Sequence, residues 1–383
     1  RTLCLYAKQK NVKIIVWTWA SCVRENPEDW IKKMKDYGVS GAKIDFFERN
    51  DQIAMRWGRD FAQRLANHQM VALFHGCPVP AGINRTFPNI LNFEAVRGAE
   101  CNFWEKTLTP EYHTQFPFIR SLVGPEDYTP GSMRNVTQEE FQPIDKDDTP
   151  PMSMGTRAHE LSMYVIYDQW IGYLCDSPTE YNKYPDILSF LSTVPVVWDK
   201  TVPLDAKLGD YILVAKQKGK DWYVGGMTDW TARTLEVDFG FLEAGVSYLA
   251  DIFKDTSASG EQPKQYVCER MEITKDTKLS IPMAKGGGFA IRLLHASGSG
   301  ITEVKQENPL IVYVEKETDT LHIKTEKRIE DVRINDITGQ TLFARKYNDD
   351  VYSERINLSD FNKGIYVVSV KTAPALASTT FIY

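Results

Sequence analysis

Up to about residue 195, short apolar runs alternate with segments of helical period; beyond it only short runs between turn residues remain. Asn26-Pro27-Glu28-Asp29 opens a helix with a polar N-cap, proline at the first helical position and acids in the first turn. Gly38 closes it, because a residue without a Cβ takes the left-handed conformation past a helix end. Gly41-Ala42-Lys43-Ile44-Asp45-Phe46-Phe47 follows as a strand whose end carries a carboxylate. Asn50-Asp51 then starts a second helix, with Ile53, Trp57, Phe61 and Leu65 recurring once per turn as its apolar face. Apolar runs at 12–19, 70–74, 89–94 and 171–175 predict further strands, with a weaker one at 118–123. Helices are expected at 156–167 and 185–191, and a polar, proline-rich loop at 135–154.

Strand and helix alternating in this way imply an α/β fold, a (β/α)8 TIM barrel of which about six strands are present. A partial arc has unpaired edges, so the first barrel strands are expected to precede this chain. From residue 196 the spacing predicts antiparallel strands at 211–215, 222–227, 234–239, 247–253, 278–282 and 287–293. The expected domains are therefore a partial catalytic barrel at 1–195, a β-sandwich at 196–297 and a second β-sandwich at 298–383. Ala296-Ser297-Gly298-Ser299-Gly300 reads as a linker before the last, whose strands are expected at 310–314, 320–324, 332–336 and 364–371. Gly286-Gly287-Gly288 signals a backbone bend; it lacks the Lys-Ser/Thr of a phosphate loop.

Composition narrows the function. The net charge is −6 with no basic block, which excludes a nucleic-acid surface. The six cysteines show no zinc-ligand spacing and are read as free buried thiols. No apolar run approaches the roughly 18–20 residues of a membrane span. The 18 Tyr, 18 Phe and 9 Trp are generous and suit both core packing and contact with sugar faces.

In barrels of this kind the carboxyl ends of the strands point at the active site, so Asp45, Glu94 and Glu100 are the candidate chemical groups. Two carboxylates across a pocket are what glycoside hydrolysis needs, one as nucleophile or base and one as acid. The plainer reading makes Asp45 a helix cap and the two glutamates solvated or loop-anchoring groups. Lys43 and His75 are candidate donors to sugar hydroxyls, or a lysine paired with Asp45 and a packed histidine. Arg85 is a candidate substrate ligand or a loop clamp, and Trp17 a stacking platform or core residue.

Several strings then carry a resemblance: Gly41-Ala42-Lys43-Ile44-Asp45-Phe46 with Asn50-Asp51-Gln52, His75-Gly76 with Pro80-x-Gly82-x-x-Arg85, and Glu94-x-x-x-Gly98-x-Glu100. Gly124-Pro125-x-Asp127-Tyr128, Gly155-Thr156-Arg157-Ala158-His159 and Trp222-Tyr223-Val224-Gly225-Gly226 continue it. Over about residues 1–295 the chain resembles glycoside hydrolase family 97. The resemblance implies an N-terminal β-sandwich, a (β/α)8 barrel, a C-terminal β-domain and active-site calcium. The family's inverting α-glucosidases carry a glutamate base after the fifth-strand histidine, where this chain has Gly76. Its retaining α-galactosidases use the fourth-strand aspartate as nucleophile, which here is Asp45, with Glu100 matching the general acid/base. The implied function is a retaining exo-α-galactosidase or a β-L-arabinopyranosidase; the alternatives are an inverting α-glucosidase and a non-catalytic carbohydrate-binding fragment. Glu94 and Glu100 match the calcium site, with a further ligand expected from an N-terminal domain outside this chain.

The tail, Asp336-Ile337-Thr338-Gly339-Gln340 with Gly364-Ile365-Tyr366-Val367, resembles the C-terminal sorting domain of type IX secretion. It implies a partnership with secretion machinery and a periplasmic, secreted or cell-surface location in a Gram-negative bacterium; otherwise the tail is an accessory β-sandwich. An oligosaccharide or polysaccharide is the expected substrate partner.

Overall fold

A computed structural model describes residues 1–143, 151–295, 311–315, 318–336, 340–362, 364–372 and 375–383. They form two compact units, 1–296 and 297–383.

The first unit opens with α1 (Thr2–Gln9), β1 (Ile15–Trp19), α2 (Ala20–Arg24), α3 (Pro27–Asp36), β2 (Gly41–Asp45), α4 (Gln52–Asn67), β3 (Val71–Phe74), α5 (Ile83–Thr86) and β4 (Ile90–Phe93). β1 to β4 make a four-stranded parallel sheet in sequence order. The helix signals act as read: the Asn26 side chain accepts from Asp29 N–H, and Asp51 accepts from Ile53 and Ala54 N–H. The buried face of α4 is rotated from the expected one, however. Ala54, Gly58, Phe61, Ala62 and Leu65 are buried while Ile53 is 40% exposed. Small residues let the helix approach the sheet, where a Cβ on Gly58 would already touch the Phe74 ring at 3.5 Å.

Two of the expected strands are corrected. Residues 118–123 end α6 (Pro110–Ile119), capped by Thr109, and continue into a 3-10 turn, Ser121–Val123. The pairing falls instead one step later, where Phe93 bridges Glu126 in parallel and Asp127 N–H bonds Phe93 O at 3.1 Å. Residues 171–175 are not a strand either. The Asn92 amide substitutes for the ladder, donating to Ile171 O at 2.9 Å and accepting from Trp170 N–H at 3.0 Å. The expected loop contains a short parallel pair, β5 (Asn135–Val136) and β6 (Ser153–Met154), while 144–150 lie outside the described residues.

α7 (Arg157–Ile166) is the hinge of the unit's packing, with all ten residues buried. Short helices α8 (Pro178–Tyr181) and α9 (Pro185–Leu191) lead to the antiparallel part: β7 (Lys200–Lys207), β8 (Tyr211–Lys218), β9 (Asp221–Thr228), β10 (Arg233–Asp238), β11 (Tyr248–Lys254), β12 (Val267–Ile273), β13 (Lys278–Met283) and β14 (Gly288–His295). Six of these form a sheet in the order β12-β11-β14-β9-β8-β7, with β10 and β13 paired separately. Leu161 and Val165 of α7 share a core cluster with Tyr223, Phe253 and Ala290 of this sheet. The change of architecture near residue 196 therefore lies inside one compact unit.

The second unit is a five-stranded antiparallel sheet of β15 (Ile311–Glu315), β16 (Thr320–Asp336), β17 (Thr341–Asn357), β18 (Ile365–Thr372) and β19 (Ala375–Ile382). Two strands expected separately, at 320–324 and 332–336, are one strand, β16, with register shifts near Ile329. The linker residues 296–300 and the motif residues 337–339 lie outside the described residues. All six cysteines are free, as expected, but none is fully buried, and Cys22 and Cys268 are exposed. Among the described residues no helix is long and apolar enough to cross a membrane.

Candidate active site

Parallel strands in register deliver their ends to one place. Asp45 is the last residue of β2, His75 follows β3, Glu94 follows β4, and Asp127 follows the bridge beside it. His75 N–H bonds Ile44 O at 2.9 Å and Glu94 N–H bonds Phe74 O at 2.8 Å, so each group is fixed by its neighbour's strand. The residue after several of these groups has a left-handed backbone: Phe46 at φ 55°, Gly76 at 48° and Ala95 at 38°. Non-glycine residues held there store strain, which clusters at functional sites.

Asp45 is buried, and its carboxylate takes three donors: Trp17 Nε1–H at 2.9 Å and His75 Nδ1 at 3.2 Å on Oδ2, and Phe46 N–H at 2.6 Å on Oδ1. Burial pushes its pKa up, but the bonds from His75 and Trp17 outweigh it, and the group stays below the usual carboxylate value. His75 is pulled the opposite way by the same partners. Burial disfavours its charge, yet the bond to Asp45 and the charge of Glu94 hold its pKa above the ordinary value. Its Nε2 faces Glu94 at 3.4 Å, Glu100 at 3.8 Å and Asp127 at 3.8 Å. Glu94 is held above its ordinary pKa by burial, with Glu100 and Asp45 adding to the effect; His75 and the Gly76 N–H, 2.7 Å away, offset part of it.

Gly76 lies where a side chain would meet Asp45. A Cβ there would lie 2.8 Å from Asp45 Oδ1 and 2.9 Å from Phe46 N, so any side chain would displace the carboxylate. Lys43 points into the same space and pairs with Asp127 at 2.7 Å, its ammonium 4.7 Å from the centre of the Tyr173 ring. The lysine thus has a partner other than Asp45. Trp17, Trp19 and Phe46 form an exposed edge-to-face cluster beside the acid, with ring centres 5.2–6.4 Å apart.

The structure therefore brings together Asp45, Glu94, Glu100, His75, Lys43 and Trp17. It does not bring Arg85. That residue is exposed on α5, no hydrogen bond or ion pair among the described residues joins it to the acids, and it lines a separate cavity with Asn84, Ser121 and Trp170. Asp127 and Tyr173 were not singled out from sequence; the signal for Asp127 was its place in Pro125-Glu126-Asp127-Tyr128, one strand on from Glu94.

His75, Glu94 and Glu100 offer ligand atoms all within 4.8 Å of one another. Glu94 is a half-buried carboxylate whose pKa is raised by desolvation first and by Glu100 and Asp45 in addition, a condition that a divalent cation relieves. Two carboxylates are hard oxygen donors of the kind calcium takes, so this part of the site fits the ion. The imidazole, already bonded to Asp45, contributes through the acids it orients.

Family comparisons agree with this geometry. Residues 1–96 match the glycoside hydrolase 97 model, residues 197–294 the model described as glycosyl-hydrolase 97 C-terminal, oligomerisation, and residues 317–382 a secretion system C-terminal sorting domain. The chain belongs to glycoside hydrolase family 97. It also carries a secretion sorting domain. It is 40% identical over 290 residues to a retaining alpha-galactosidase of Bacteroides thetaiotaomicron, covering 75% of this chain and 43% of the relative. A probable retaining alpha-galactosidase of Streptomyces bingchenggensis is 30% identical over 295 residues, 76% of this chain and 42% of the relative. This family 97 chain thus spans less than half the length of those relatives. A family 97 enzyme of Pseudoalteromonas sp. strain K8 in complex with panose superposes with a TM-score of 0.70 at 27% identity, covering 77% of this chain and 49% of that one. A β-arabinopyranosidase shares the fold, with a TM-score of 0.64 at 22% identity over 76% of this chain and 47% of that one.

Replacing Trp17 by Phe removes one of the donors that hold Asp45 ionised, so the pKa of Asp45 should rise. The acid limb of the kcat/KM–pH profile should move to higher pH with the alkaline limb in place. A profile that does not move would separate Asp45 from that limb.

Proposed function

We propose that the protein is a retaining, exo-acting α-galactosidase with Asp45 as nucleophile. The observation that carries this reading is the bare backbone of Gly76 beside Asp45, where a Cβ would lie 2.8 Å from the carboxylate. The position after His75 has no side chain to hold a water, and a side chain there would push Asp45 aside. Asp45, ionised and aimed by Trp17, His75 and the Phe46 N–H, is left to attack the anomeric carbon itself.

In the first step an Asp45 oxygen bonds to the anomeric carbon as the glycosidic C–O bond breaks, and Glu100 gives its proton to the departing oxygen. In the second, Glu100 takes a proton from water as that water's oxygen replaces Asp45. Glu100 suits this exchange because its side chain is 48% exposed, open to both leaving group and water. Lys43, paired with Asp127, and the Trp17–Trp19–Phe46 cluster would receive the sugar's hydroxyls and faces. Family membership and the two curated relatives support the reading. Gly76 weighs against the inverting alternative.

We further propose that calcium binds beside the nucleophile, held by Glu94 and bordered by Glu100. When bound, it would neutralise charge among the crowded carboxylates. An ion resting equally on Glu100 would favour its ionised form and work against its role as acid, so Glu94 is the main ligand. Export to the surface of a Gram-negative bacterium by secretion machinery is the corresponding proposal for the sorting domain.

A 5-fluoro-α-galactosyl fluoride should trap the first intermediate. Intact mass should rise by one fluorogalactosyl group, the labelled peptide should contain Asp45, and Asp45→Asn should stay unlabelled. Label on another carboxylate would reassign the nucleophile. Calcium should raise the melting temperature of the parent protein and leave that of Glu94→Gln unmoved; equal shifts in both would place the ion elsewhere.

A further inference from the structure

The Glu100 side chain has little of its own to hold it, although its turn is closed by Cys101 N–H to Gly98 O at 3.0 Å and tied to α6 by the Tyr112 hydroxyl, which donates to Arg97 O at 3.1 Å. Among the described residues the Glu100 carboxylate makes no hydrogen bond, and its nearest charged partner is His75 at 3.8 Å. Its placement comes from the backbone one residue earlier, where Ala99 N–H bonds Tyr128 O at 2.7 Å. Gly98 packs against the same segment, and a Cβ on it would approach Asp127 O and Tyr128 O at 3.2 Å. Whatever fixes Tyr128 therefore fixes the anchor of the turn next to Glu100.

Tyr128 is 1% exposed, its ring wedged among His113, Phe116 and Tyr167. Its hydroxyl lies 2.5 Å from His113 Nε2, His113 Nδ1 lies 3.1 Å from His159 Nε2, and His159 Nδ1 lies 3.0 Å from Gly287 O. A carbonyl only accepts, so His159 carries its hydrogen on Nδ1 and accepts on Nε2. His113 must then donate from Nδ1 and accept on Nε2, which leaves the Tyr128 hydroxyl as donor. One placement of hydrogens satisfies every member, with both imidazoles neutral. Full burial favours that state, holding His113 well below its ordinary pKa and His159 at about 4.

The far end is anchored by the triple glycine, for which the catalytic site has no use. A Cβ on Gly287 would fall 2.0 Å from Asp255 Oδ2, and one on Gly288 2.8 Å from His159 Cα. The bend must therefore be bare backbone to press on α7. Thr156 N–H bonds Gly286 O at 2.9 Å and fixes the start of the same helix.

We propose that Tyr128, His113 and His159 are positioning residues, a buried relay by which the β-sandwich, through Gly287, sets the turn that aims Glu100 at the leaving group. The proposal rests on Glu100 being the acid/base.

A misplaced acid costs most where the leaving group needs a proton. Tyr128→Phe keeps the ring and removes the donor, and kcat/KM should be measured on phenyl and on 2,4-dinitrophenyl α-galactoside. The phenyl substrate should lose about 10-fold or more, within the span of general acid catalysis, and the dinitrophenyl substrate less than about 3-fold. His159→Leu, which removes both ring nitrogens at the relay's other end, should give the same asymmetry and serves if Tyr128→Phe fails to fold. Equal losses on both substrates, or none on either, would overturn the relay. Glu100→Gln is the reference. If it shows no leaving-group asymmetry the acid/base assignment fails, whereas asymmetry in Glu100→Gln without asymmetry in the relay variants rejects the relay alone.

Discussion

One imidazole, that of His75, stands within 3.8 Å of four carboxylates, those of Asp45, Glu94, Glu100 and Asp127. Unit charges about 4 Å apart near a protein surface repel by on the order of 4 kcal/mol, and Glu94 and Glu100, with carboxylate oxygens within 4.8 Å of one another, come close to that distance. Without compensation the strand ends would splay or the acids would protonate. His75 is held towards its charged form by them, and Lys43 neutralises Asp127 from the other side. The rest of the first unit is arranged to keep this cluster together: parallel register aligns the strand ends, and left-handed residues after Asp45, His75 and Glu94 turn the chain away at once.

The consequence is a division of labour among chemically similar groups. Asp45 takes directed donors and remains ionised; Glu94, with less compensation, is raised. The raised carboxylate is thus the one proposed to meet the cation, and the lowered one is the proposed nucleophile. The antiparallel part meets this region through α7, where His159 Nδ1 lies 3.0 Å from Gly287 O and Glu160 accepts from Gly131 and Ser132 N–H.

Much of this was legible in the sequence. The strands that carry Asp45, His75 and Glu94 are short apolar runs with a polar terminus, and such runs declare themselves because both faces of a parallel sheet are covered. Edge strands did not. β7 and β12 are mostly exposed and β17 is dense in charge, so none shows the alternation that marks a half-buried strand. Residues 118–123 and 171–175 are apolar without pairing, with Ile119, Leu122, Val123 and Leu174 exposed, and the side chains of Arg120 and Asn92 bind carbonyls beside them. Arg85 sits in a motif with Pro80 and Gly82, yet α5 turns it towards another face, a placement that spacing along the chain does not encode. The Tyr128 relay was equally hidden, since its members lie 15 to 128 residues apart.

The central claim is that Gly76 leaves Asp45 to attack the sugar directly. Proton NMR during hydrolysis of an aryl α-galactoside tests it most directly, by showing which anomer of galactose forms before mutarotation. Direct attack by Asp45 gives the α-anomer first, the signature of two inversions at the anomeric carbon. The β-anomer first would mean a single displacement by water and would contradict the role given to Asp45.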